Sequence, residues 1–71
     1  MEKTEFDKMF KMDILPLIAK QYEMDGIPDR PARREAYNDI TDSYCKEGII
    51  TEKQYNEWCI PDSLETTKYW N

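Results

Sequence analysis

Three sets of side chains in this 71-residue chain have types and spacings that could do chemistry. Glu35, Asp39 and Asp42 stand at i, i+4 and i+7, so a helix would place their carboxylates on one face. Clustered carboxylates can hold a hard cation. The same spacing also makes a solvated face, with Lys46 four residues past Asp42 to pair with it. Arg30, Arg33 and Arg34 surround Pro31. Such a basic knot can grip a phosphate or an acidic patch on a partner. The structural alternative lays the Arg33 stem along Tyr37 and pairs Arg30 and Arg34 with nearby acids. Cations at a helix start oppose the macrodipole, which favours a specific role. Cys45 and Cys59 would sit at different heights of an antiparallel hairpin, so free thiols are expected.

Catalytic machinery is thin. The chain has no His, which removes the commonest general base and metal ligand. No Ser or Cys has a neighbouring base pattern, and no glycine loop could cradle a phosphate. The expectation is a non-enzymatic protein with no cofactor. The second and third helical segments could form a DNA-binding helix-turn-helix, with 51–59 as recognition helix. Glu52 and Glu57 against Lys53 alone would repel phosphates, so direct nucleic-acid binding is not expected.

The elements that must position these groups read as three helices. The first runs from about Thr4 to Met24, with Phe6, Phe10, Ile14, Leu17 and Ile18 as its apolar stripe. Pro16 sits inside it, removes one backbone bond and clashes with the Met12 carbonyl, so a kink is expected there. The alternative is two short helices meeting near Leu15. The second helix starts near Pro31, capped by Asp29, and runs to Glu47 with Ala36, Tyr37, Ile40 and Tyr44 inward. Gly48 is the residue expected just past its end, in the left-handed region. Thr51 and Gln54 form a capping box that opens the third helix, with Ile50 and Tyr55 placed as a hydrophobic staple. That helix spans 51–60 and stops at Pro61, with Tyr55, Trp58 and Cys59 on its apolar face. Residues 1–61 form the helical domain. Residues 62–71 form a tail, mobile or loosely docked through Tyr69 and Trp70. Short connections favour antiparallel neighbours, so the fold class is all-α, a small three-helix bundle.

Size and charge narrow the function classes. A chain this short buries only about 60% of its unfolded surface and gains ~3–5 kcal/mol from its core, so a deep cleft is hard to build. The aromatic content of 13% supplies much of that burial. A net charge of −5 argues against nucleic-acid and anionic-membrane binding. The longest uncharged apolar run, 14–19, is too short for a bilayer, and no signal-peptide pattern opens the chain. A cytoplasmic location is the expectation.

The first helix is apolar on more than one side. Met12, Leu15, Ala19 and Tyr22 form a second line at 3-4-3 spacing, and Met9, Met12 and Met24 add adaptable surface. Either the helix is buried between its neighbours or one line faces a partner.

The stretch 47–55, EGIITEKQY, resembles the short C-terminal domain that bacteria and phages append to other proteins. There a helix, a Gly-Ile-Ile-Thr-Glu joint and a second helix form a small interaction hairpin. The run 22–37, YEMDGIPDRPARREAY, continuing to Trp58, resembles small uncharacterised proteins of tailed phages and prophages. That resemblance implies a host-directed or anti-defence role and carries no site residues. The leading expectation is therefore a protein-binding factor, phage- or prophage-encoded, that occupies a host or phage protein. Met12, Leu15 and Tyr22 are the candidate contacts, with Arg30 and Arg34 at the rim. The first alternative is an acidic DNA mimic that blocks a DNA-binding enzyme through Glu35, Asp39, Asp42, Glu52 and Glu57. The second is a structural homodimer or accessory subunit.

Overall fold

The computed structural model describes residues 1–67 and is all-α. Helix α1 (Lys3–Met9) runs into a π-helical segment (Phe10–Ile14) and then into α2 (Leu15–Tyr22) without a break. The long helix α3 (Arg30–Lys46) follows a loop, and α4 (Glu52–Glu57) and α5 (Asp62–Thr66) are short. Helix α3 is the central element and packs against α2, α4 and α5.

The π segment decides which residues of the first helix point inward. The Leu15 N–H donates to the Phe10 carbonyl, five residues back rather than four. One extra residue in the turn rotates everything after it by about 100°. The inward line is therefore Phe6, Phe10, Leu15 and Ile18, all buried. The expected stripe through Leu17 is corrected: Leu17 is 63% exposed, and Ile14 is only half-buried. Pro16 follows directly on this wide turn, at the second position of α2, so the irregularity expected at Pro16 takes the form of a π turn just before it.

The core gathers Phe6, Phe10, Leu15, Ile18, Tyr37, Ile60 and Leu64. Phe6 meets the edges of Tyr37 at 5.0 Å and Tyr44 at 5.4 Å, between ring centroids. Phe10 meets Tyr37 at 5.3 Å, and Trp58 tilts onto Phe6 at 5.6 Å. Edge-to-face pairs of this kind contribute about 0.5–1.5 kcal/mol each beyond burial. Tyr37 keeps its hydroxyl satisfied by donating to Asp7 Oδ1 at 2.6 Å. Burial first, and that bond second, push its pKa well above the ordinary tyrosine value.

The joint after α3 is built as its sequence dictates. Gly48 has φ +77°, the Ile49 N–H donates to the Tyr44 carbonyl at 2.9 Å, and the Gly48 N–H donates to that of Cys45 at 3.1 Å. These two bonds close the α3 C-terminus as a Schellman motif. Gln54 N–H donates to Thr51 Oγ1 at 3.1 Å and Thr51 N–H to Gln54 Oε1 at 2.8 Å, completing the capping box of α4. Ile50 is buried and Tyr55 half-buried.

The expected extent of the third helix is corrected. Helix α4 ends at Glu57, short of Ile60, because Trp58 turns extended with ψ 134°. That swing places Trp58 and Ile60 against the core and leaves Cys59 exposed, so Cys59 is not part of an apolar face. The residues after Pro61 begin with a docked helix, α5, whose Leu64 enters the core and whose Glu65 is buried. Tyr69 and Trp70, expected to dock back, lie outside the described residues.

Candidate interaction surface

The connection between α2 and α3 carries most of the unusual chemistry of the molecule. It begins at Glu23, whose side chain is fully buried opposite the equally buried Arg33. Arg33 Nε and Nη2 donate to the two Glu23 carboxylate oxygens at 2.8 Å each, a bidentate fork. The same guanidinium donates through Nη1 to the Leu64 carbonyl at 3.0 Å. Glu23 Oε2 also accepts the Asp29 N–H at 2.7 Å. One buried ion pair thus ties together the end of α2, the loop, α3 and α5. The reading in which Arg33 lays its stem along Tyr37 missed this partner, although Arg33 is on the inward face four residues before Tyr37.

The loop itself is pinned locally. Gly26 has φ +79°, and Asp25 Oδ1 accepts the Ile27 N–H at 3.1 Å, an Asx turn. Asp29 caps α3 by accepting the Ala32 N–H at 3.1 Å, as its position predicts. The geometry leaves large apolar side chains in solvent: Met24 is 86% exposed, Ile27 65% and Tyr22 57%. Tyr22, Ile27, Pro28 and Arg30 line one shallow depression of about 350 Å³. Tyr22 also lines a second depression of about 200 Å³ between α2 and α3, with Ile18, Ala32, Ala36, Glu35 and Asp39.

Arg30 and Arg34 are half-exposed, and both reach Glu65 Oε1, at 2.6 and 2.8 Å. Hydrogen bonds from Arg34 and then Arg30 hold the Glu65 carboxyl below its ordinary value, and Glu65 in turn raises that of Arg34. These two cations therefore secure α5.

The structure brings together Tyr22 and Arg30 of the candidate contacts and places Arg34 beside Arg30 through Glu65. Met12 is exposed but belongs to the π segment and lines neither depression. Leu15 is corrected as a contact residue: the π turn puts it in the core with no exposed surface. The five carboxylates of the acidic set have different surroundings. Asp42 pairs with Lys46 at 2.9 Å, Glu52 and Glu57 belong to α4 beyond the Gly48 joint, and Glu35 and Asp39 line the α2–α3 groove. Met24, read from the sequence as adaptable surface at the end of the first helix, stands in the loop beyond it. Ile27 is a surface residue that helical periodicity missed, because it lies in that loop. Its signal was a large apolar side chain between Gly26 and Pro28, where loops are usually polar.

Among the described residues no group of three or more His, Cys, Asp or Glu side chains is disposed to hold a metal ion. No helix among them is long and apolar enough to cross a membrane. Comparison of the chain with protein-family models, curated proteins and solved structures found no match.

Proposed function

We propose that this chain is a non-enzymatic protein-binding factor of phage or prophage origin, which acts in the bacterial cytoplasm by occupying a surface of a host protein. The contact is the α2–α3 end of the molecule, with Tyr22, Met24 and Ile27 as apolar anchors and Arg30 at the rim. The observation that carries this reading is the exposure of Tyr22, at the end of α2, and of Met24 and Ile27, on a loop tied to the buried Glu23–Arg33 pair. A loop backbone fixed before docking has little further conformational entropy to lose, and its exposed apolar side chains, Met24 above all, supply adaptable contact area. The resemblance of 22–37 to small phage proteins supports the host-directed part.

The test is site-specific photocrosslinking in bacterial cells. A benzophenone amino acid at Ile27 should give one discrete adduct, and the same group at Glu52, on α4, should not. Met24→Asp should abolish the Ile27 adduct while the purified variant keeps its unfolding midpoint. Equal adducts from Ile27 and Glu52, or none from Ile27, would overturn the proposal.

A further inference from the structure

The α2–α3 groove joins an apolar floor to an acidic wall that the molecule itself does not neutralise. Ile18, Ala32 and Ala36 are its buried and half-buried residues, while Tyr22, Glu35 and Asp39 are exposed at its edge. Two alanines four residues apart on α3 keep the groove open. At about 200 Å³ it falls below the ~300–1,000 Å³ of small-molecule pockets. It has the dimensions of a seat for side chains from another chain.

Charge decides which chain. Asp7, Glu23, Asp42 and Glu65 each have a Lys or Arg nitrogen within 2.9 Å. Glu35 and Asp39, like most of the other carboxylates, have no ion pair among the described residues; what sets these two apart is that they edge an apolar groove. They are four apart on α3, so their Cβ atoms stand roughly 5–6 Å from each other and the two charges repel. The nearest basic knot does not relieve them, since Arg30 and Arg34 are committed to Glu65. A second copy of this chain would bring another net −5 toward the same wall. Nucleic acid would bring phosphates.

We infer that the groove seats a basic amphipathic helix of the partner protein: an apolar side chain enters between Ile18, Ala36 and Tyr22, and Lys or Arg residues one turn apart meet Glu35 and Asp39. A helix presents such residues at three- or four-residue spacing, which matches the separation of the two carboxylates. The inference rests on the protein-binding reading above and adds the chemistry of the partner.

The probe is a labelled helical peptide of Leu and Lys, about four turns long, with a Leu–Glu counterpart, read by fluorescence anisotropy. The Leu–Lys peptide should bind saturably and the Leu–Glu peptide should not. Glu35→Lys with Asp39→Lys should weaken binding by about tenfold or more. Glu52→Lys with Glu57→Lys makes the same change in net charge elsewhere and should leave affinity within about twofold. Tyr22→Ser should weaken binding with the charges intact. All these side chains are exposed or half-exposed, so an unchanged unfolding midpoint verifies each variant. Equal losses from the two charge-reversed pairs would reduce the effect to net charge and overturn the inference. So would absence of Leu–Lys binding, equal binding of Leu–Glu, or no effect of Tyr22→Ser. Failure here with an Ile27 adduct still formed in cells would remove the basic partner and leave the protein-binding reading standing.

Discussion

The two ends of α3 are held by opposite means. At its C-terminal end the Gly48 joint uses short-range bonds: a Schellman closure onto Tyr44 and Cys45, then a capping box between Thr51 and Gln54. At its N-terminal end the Glu23–Arg33 pair and the Glu65 clasp join residues ten, 31 and 35 positions apart. The first design depends on backbone conformation and survives partial exposure. The second depends on partners distant in sequence and, at the Glu23–Arg33 pair, on exclusion of water. A local joint therefore degrades gradually, whereas a buried charge network fails as a unit.

The largest expected effect follows from breaking the network. Arg33→Met leaves the Glu23 carboxylate buried without its cation, at a cost of about 3–5 kcal/mol. That equals the ~3–5 kcal/mol available to a core of this size, so the variant should lose its cooperative unfolding transition by circular dichroism. Glu23→Met together with Arg33→Met should restore part of it, since no charge is then stranded. A cooperative transition retained in Arg33→Met alone would erase the contrast between the two ends.

Gly48→Val probes the other end. Nothing lies within 4 Å of a Cβ added there, so the cost is that of a β-branched residue at φ +77°, about 1–2 kcal/mol. The transition should shift yet stay cooperative in urea. Thr51→Ala is smaller, about 1 kcal/mol, because one cap bond is lost at an exposed helix start. If either matched Arg33→Met, the joint would not be local.

The smallest effect is one of pH. Glu65 has a carboxyl pKa below its ordinary value of 4.5 in the folded protein. The unfolded chain therefore binds the proton first as pH falls. The clasp contributes its full stability above that ordinary value and loses it as pH drops through the lowered one. The wild-type midpoint should fall on this acid limb, and Glu65→Gln should flatten it while lowering the midpoint at neutral pH. An unchanged acid limb in Glu65→Gln would assign the pH response to other carboxylates.

The same contrast explains what could be read from the chain. Gly48, the Thr51–Gln54 box, the Asp29 cap and the Tyr37 stripe are each specified within a few residues, and each is present. Glu65 offered no local sign, because its partners Arg30 and Arg34 are brought to it only by the fold. The docked α5 was hidden for the same reason: Leu64 is a lone apolar residue in a polar stretch, and only the core makes it meaningful. Of the residues expected at a contact surface, Tyr22 and Arg30 line one depression. Leu15 was misplaced because a uniform 3.6-residue period does not allow for one wide turn.

That wide turn makes the first helix two registers spliced by a single residue. Phe10 and Leu15, five apart, do the work of neighbours four apart in a regular helix. A one-codon deletion within Lys11–Asp13 should therefore keep Phe6 and Phe10 aligned with the shifted Leu15 and Ile18 through an ordinary turn, at the cost of setting Pro16 inside a regular helix. A one-codon deletion between Ile18 and Tyr22 has no surplus to draw on and should swing the Glu23 carboxylate away from Arg33.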